Sequence, residues 1–231
     1  MSTDIHPPDK WLSFGLAFVG GFGDAAGFVL AETFTGHITG SLVLGAIATV
    51  ARDWPGALLH FSATACFLIG IPLSVLIARG TVDSPSRPLL PVAMGIEVIL
   101  MMAAYLALAS QVAPGTKIFV VCVSLALGLQ NGAFRHTGGI SVHTNYLTGM
   151  ITGLLAREAE NRAVAETHWS TVADPKIGLL YGIWGTFLLG AGTGAALVFR
   201  FRERGFLAVV LVLFGLIVRN LTAPSPVDSA S

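Results

Sequence analysis

Few side chains in this sequence can do chemistry, and those that can sit inside apolar runs. Asp24 lies in "GFGDAAGF", Glu97 in "MGIEVILMM", and Gln130 and Asn131 in "GLQNGAF". A carboxylate in such a place can hold a cation, carry a proton or accept hydrogen bonds, and a carboxamide can both donate and accept them. A carboxylate at the centre of a membrane helix costs roughly 2.5–3.5 kcal/mol on insertion scales, so it faces the protein interior and finds a partner or a function. Asp24 has Gly20 four residues before it and Gly27 three after; Asn131 has Gly128 three before it and Ser124 seven before. These spacings place the small residues on the polar residue's own helical face, where another backbone can approach. Each polar residue is read either as part of a substrate or ion site or as a structural helix–helix hydrogen bond.

A second pattern joins these. "FTGHITGSLVLG" (34–45) and "HTNYLTGMITGLL" (143–155) both contain Thr-x-x-x-Thr-Gly, at residues 35–40 and 144–149. Thr and Gly at the start of a short helix satisfy free amides and permit an unwound turn. A helix that begins inside the membrane aims its partial positive end at whatever lies there. Two such starts, at Thr39 and Gly40 and at Thr148 and Gly149, could face one polar or anionic solute. The plainer alternative is that Thr39 and Thr148 cap helices at the bilayer surface. The solute-binding set read from the sequence is therefore Asp24, Thr39, Gly40, Gln130, Asn131, Thr148 and Gly149, with Asp24 and Glu97 as the proton-coupling candidates. Arg219 is a candidate partner for Glu97, with snorkelling to the surface as the alternative. His37, His60 and His143 lack metal-ligand spacing, and no HExxH, GxSxG, P-loop or dinucleotide fingerprint occurs. No metal, cofactor or enzyme activity is expected.

The elements that must position these residues are set by composition. Of 231 residues, 54% are hydrophobic and only 11% charged, against about 25% charged in a soluble domain. With a mean hydropathy of +0.76, this reads as an all-α, polytopic integral membrane protein. Thirteen basic and thirteen acidic residues balance, so no nucleic-acid partner is expected; the lipid bilayer, a small solute and a homo-oligomer are. Cys66 and Cys122 lie in separate apolar runs and read as small packing residues. The first ten residues do not resemble a cleaved leader. A span needs about 20 apolar residues; the segments 11–31, 57–78, 89–110, 116–134, 177–199 and 205–221 qualify. Two others, 37–51 and 140–156, are shorter and carry the Thr-Gly pairs.

The order of parts recurs. "FLIGIPLSVLIAR" (67–79) matches "FLLGAGTGAALVFR" (187–200), aligning Phe67, Leu68 and Gly70 with Phe187, Leu188 and Gly190. Each run follows a Thr-Gly segment, and each Thr-Gly segment follows Asp24 or Asn131. We read one membrane domain, 11–222, as a duplicated four-segment unit: repeat one 11–110 and repeat two 116–221. A polar connection spans 157–176, with polar tails at 1–10 and 223–231. If the short segments cross, there are eight spans and parallel halves; if they dip and return, there are six, and the halves are inverted. Lys and Arg counts do not separate the two. Six full spans with two short embedded helices is the architecture carried forward.

Taken together, "GFGDAAGF", "FTGHITGSLVLG", "FLIGIPLSVLIAR", "GIEVILMMAAYLAL", "LGLQNGAFRHTGGISVHTNYLTG" and "FLLGAGTGAAL" resemble, in order, the landmarks of the bacterial YoaK family. That family comprises small polytopic membrane proteins defined as a domain of unknown function. The resemblance runs over residues 11 to 220, and its pattern falls on Asp24, Thr39, Gly40, Glu97, Gln130, Asn131, Thr148 and Gly149. Ser41 stands where the family often has Asn, and His143 and Asn145 where Pro or Thr is usual. A ligand that touched those positions would differ here. The resemblance implies a bacterial cytoplasmic membrane location and brings no established activity.

Overall fold

In the computed structural model the described residues are 10–80, 89–134, 136–137, 140–141, 175–222 and helical positions scattered between 149 and 159. Seven helices are built from them: α1 (Lys10–Ala31), α2 (Ile38–Val50), α3 (Trp54–Gly80), α4 (Leu89–Ala109), α5 (Gly115–Ala133), α6 (Pro175–Phe201) and α7 (Leu207–Thr222). A 3-10 turn, Arg202–Phe206, joins the last two. Five stretches are long and apolar enough to cross a membrane, and the last of them, Gly178–Thr222, contains both α6 and α7. Helix is the expected state, since lipid offers no partner for a backbone amide and each helix satisfies its own. Four helix breaks each carry a non-glycine residue in the left-handed region: Glu32, Arg52, Gln111 and Arg202. Asp53 caps α3 by accepting from the Gly56 amide at 3.1 Å, which sets the tight hairpin between α2 and α3.

The fold is all-α as expected, with one short stretch extended rather than helical. The segment 140–156 was expected to be helical from its start, but Ile140–Ser141 pairs antiparallel with His136–Thr137, with His136 opposite Ser141 and Thr137 opposite Ile140. The two residues between them, Gly138 and Gly139, are a hairpin-turn signal that outweighs the apolar run behind them. Among the described residues after Ser141, the first helical one is Gly149. Likewise Pro175 and Lys176, expected in the polar connection, open α6, and Lys10, expected in the N-terminal tail, opens α1. The remainder of both tails and residues 160–174 of the connection lie outside the described residues.

The outer surface is apolar. Leu58, Leu68 and Leu76 on α3, Val50 on α2, and Leu211 and Leu221 on α7 are all exposed, while Asp24, Glu97, Ser124, Gln130 and Asn131 are buried. This inversion of the soluble pattern marks a multi-pass membrane protein.

Helix directions follow from which residues meet. Gly182, Gly190 and Gly194 of α6 lie against Phe14, Phe18 and Phe22 of α1, so these two helices run parallel. Gly128 and Gly132 of α5 lie against Phe67 and Ile71 of α3, and this pair is parallel as well. Between the pairs the sense reverses: Gln130 reaches Leu16, while Gly23 meets Val123 and Leu127. Both parallel pairs are pressed together at glycine. A Cβ on Gly21 would strike the Phe187 carbonyl, one on Gly128 the Phe67 carbonyl and one on Gly190 the Phe18 carbonyl; one on Gly70 would sit 2.6 Å from the Leu125 carbonyl oxygen. These contacts fall on positions that the sequence register pairs. On the α4 and α7 side, Phe206 inserts between Phe22 and Phe119, with ring centroids 6.3 and 5.1 Å away.

Candidate functional site

Asp24 organises the most polar part of the described interior. Its Oδ1 accepts hydrogen bonds from the amides of Thr35 at 2.9 Å and Gly36 at 2.7 Å. The Thr35 hydroxyl donates to the Gly23 carbonyl at 3.1 Å, and that of Ser41 to the Phe34 carbonyl at 2.7 Å. Thr33 Oγ1 and His60 Nδ1 on α3 lie 2.7 Å apart. Gly27 makes the seat for this loop, since a Cβ there would lie 2.8 Å from Thr35 Cγ2. The sequence thus uses "GDAAG" twice over: the acid accepts the loop amides and the glycine admits the loop.

The loop doubles the chain back. Asp24 lies seven residues before the end of α1, so residues 35 and 36 sit about 10 Å below that end along the axis. From there α2 ascends. It runs opposite to α3, since Gly45 meets Phe61 and the Asp53 amide donates to the Ala48 carbonyl at 2.9 Å; it therefore runs with α1. Its 13 residues span about 20 Å, roughly two-thirds of the ~30 Å hydrocarbon thickness. A helix thus starts at the depth of Asp24, with His37 as its N-cap residue and no side-chain cap bond.

Thr39, one of the two threonines read as a possible cap, does not cap α2. Thr39 is exposed in the first turn of α2, and Thr35 donates rather than accepts. The loop amides go to a carboxylate instead, a stronger acceptor than a hydroxyl. Gly40 packs beside Phe34 and His37, with a would-be Cβ 2.8 Å from Phe34 Cδ2. Gly149 is an exposed helical residue, and Thr148 lies outside the described residues.

Gln130 and Asn131 do different work. The Gln130 side chain donates to the Leu16 carbonyl at 2.9 Å and so ties α5 to α1. Asn131 donates to the Leu127 carbonyl of its own helix at 3.2 Å. Leu16 is eight residues from Asp24, so the level of Gln130 and Asn131 is about 12 Å from that of Asp24. Asp24 and Asn131 are both buried, but the structure does not bring them together. The residue of α5 at Asp24's own depth is Ser124, whose neighbours Val123 and Leu127 meet Gly23. At about 100° per residue, Asp24 and Ser124 turn to the same side of the α1–α5 pair. The Ser124 hydroxyl is fully buried with no hydrogen-bond partner among the described residues. Sequence reasoning treated it only as a small neighbour of Asn131.

Glu97 stands apart from Asp24 and Ser124. Gly115 of α5 abuts Ala107 of α4, and Ser124, nine residues on, points about half a turn away from that contact. The Asp24–Ser124 side and α4 therefore lie on opposite faces of α5. The expected pairing of Glu97 with Arg219 is not made: both Glu97 carboxyl oxygens lack a partner among the described residues, and the Arg219 guanidinium sits 5.6 Å from the centre of the Trp11 ring. Arg219 is close to the end of α7, on its last turn. Cys66 and Cys122 are free and partly buried, and no group of three His, Cys, Asp or Glu suited to a metal occurs among the described residues.

No curated protein and no solved structure matches the chain. One family model does, over residues 12–219, and its description is a protein of unknown function, DUF1275. That match reaches into every one of the seven helices and covers the whole of the Asp24 loop, and with it the chain belongs to the DUF1275 family of proteins of unknown function, in keeping with the resemblance to the YoaK family read from its motifs.

Proposed function

We propose that this protein is a small secondary transporter or permease for a small polar or anionic solute, resident in a bacterial cytoplasmic membrane and without enzyme activity. It is built as an inverted duplication. In this reading α1 with α2 makes one crossing, α3 to α7 make five more, and each half supplies one helix start embedded in the bilayer. The reciprocal glycine contacts and the antiparallel α1 and α5 support the inversion. The observation that carries the functional reading is the start of α2 beside Asp24, about two-thirds of the membrane thickness from its own far end. Broken helices of this kind are where transporters bind solute. The solute site lies beside Asp24, Ser124 and the α2 start at Thr39 and Gly40, and extends towards Asn131. Two copies assemble where one chain is too small to enclose a pathway.

Flux into proteoliposomes tests this. Asp24→Asn keeps an acceptor for the two amides and removes the charge; the expected result is folded protein with altered uptake of the solute carried by the unmodified chain. A panel of anionic and neutral solutes that shows no saturable uptake by the unmodified protein refutes the proposal. One observation favours a second reading, a non-transporting scaffold: both bonds to Asp24 come from the protein's own backbone. In that case Asp24→Asn lowers folding yield and leaves no flux to change.

A further inference from the structure

We propose that Glu97 is a reversible proton-binding site that holds the α4 and α7 side of the protein closed while the proton is bound. Glu97 is 1% exposed, and neither carboxyl oxygen has a hydrogen-bond partner among the described residues. The same face of α4 carries Met94, Met101 and Ala104, all buried. These belong to one apolar cluster with Phe119 of α5, Phe206 of the 3-10 turn and Val209 of α7. An ionised carboxylate left unpaired in such surroundings costs several kcal/mol, whereas the neutral acid carries no charge to compensate. The packing described here is thus that of the acid with its proton on.

The groups that could offset a charge at Glu97 do not do so. On α5 the ionisable residues are Lys117, exposed at the helix start, and Cys122, a partly buried thiol. On α7 there is only Arg219, over Trp11. The 3-10 turn contributes Arg202 and Arg204, both exposed, and Glu203, at the end of the membrane segment. On α3 His60 is engaged with Thr33, and Cys66 is a free thiol. Asp24, on α1, is spent on the Thr35 and Gly36 amides on the opposite side of α5. Loss of the proton therefore needs water or a cation at Glu97, and the α4–α7 packing must part to admit either. Asp24 is already held by two amides; Glu97 has no such partner among the described residues. The assignment holds whether or not a solute is carried.

Infrared difference spectroscopy of the protein in lipid, titrated in pH, tests it. A protonated-acid carbonyl band at neutral pH is expected in the unmodified protein and in Asp24→Asn, and its loss in Glu97→Gln. The band should vanish as pH rises, and amide hydrogen exchange in α4 and α7 should increase with it, in the unmodified chain only. Absence of the band at neutral pH, its survival in Glu97→Gln, or equal exchange in both proteins at high pH overturns the proposal. Should Glu97→Gln not fold, a lipid-soluble carbodiimide applied to the unmodified protein gives the second reading. An adduct on Glu97 supports the proposal, and its absence there or an adduct on Asp24 instead overturns it.

Discussion

Replacing Gly70 by Ala probes the α3–α5 contact directly. The added Cβ would lie 2.6 Å from the Leu125 carbonyl oxygen and 2.7 Å from the Leu129 amide nitrogen. A comfortable C–H···O contact is about 3.3–3.6 Å, so the helices must part by roughly 0.7–1 Å. A gap of that size forfeits a quarter to a half of each dispersion contact along the seam. Both obstructing atoms are backbone, so no rotamer change relieves them, and overpacking of this kind costs about 1–3 kcal/mol. Removing a helical glycine returns about 0.5–1 kcal/mol. The net expectation is a loss of about 1–2 kcal/mol, read by reversible unfolding in mixed micelles. Gly215→Ala is the control, because nothing lies within 4 Å of the position its Cβ would take; it should be neutral or slightly stabilising. Equal stability of Gly70→Ala and the unmodified protein, or an equal loss in Gly215→Ala, would refute the reasoning that these glycines are there for close approach.

Further expectations come from the polar interior. Asp24→Ala strips the acceptor from two buried amides and should cost about 2–4 kcal/mol, more than Asp24→Asn; faster hydrogen exchange at Thr35 and Gly36 checks it. Gln130→Leu removes the tie to the Leu16 carbonyl and should cost about 1 kcal/mol in the same unfolding assay. Thr33→Val leaves the His60 ring without its neighbour and should cost about 1 kcal/mol, with little further loss when His60→Leu is added, as a double-mutant cycle would show. Asp53→Ala removes the cap on α3 and should cost about 0.5–2 kcal/mol, detectable as fraying of residues 54–57 by hydrogen exchange.

The single-residue scale of the fold was readable, and the pairwise scale was not. Hydropathy placed a span at 89–110, and the helix is Leu89–Ala109; the 116–134 span is Gly115–Ala133. These agree because lipid forces each apolar run to satisfy its own backbone. Asp24 was identified as interior from Gly20 and Gly27. Its partner was not, because the acid meets main-chain amides, and every residue except proline has one. Ser124 carried no signal for a related reason: small hydroxyls between helices are common. Charge complementarity suggested Glu97 with Arg219 yet contains no information about position, and Arg219 lies over Trp11 instead. The Gly-Gly hairpin was visible in "RHTGGIS", but the apolar run that follows it drew residues 140 and 141 into a helix. The pairing of α1 with α6 and α3 with α5 joins residues more than a hundred and more than fifty apart; periodicity cannot report it.

That crosswise pairing bears on biosynthesis. As the ribosome delivers the chain, the notch of Gly21 is complete long before Phe187 has been translated, and Gly70 is inserted before Leu125. An N-terminal fragment that stops ahead of α6 therefore joins α3 to α5 but leaves the Gly21 face of α1 uncovered. The two fragments, made separately in one cell, should find each other, because each presents the surface the other lacks.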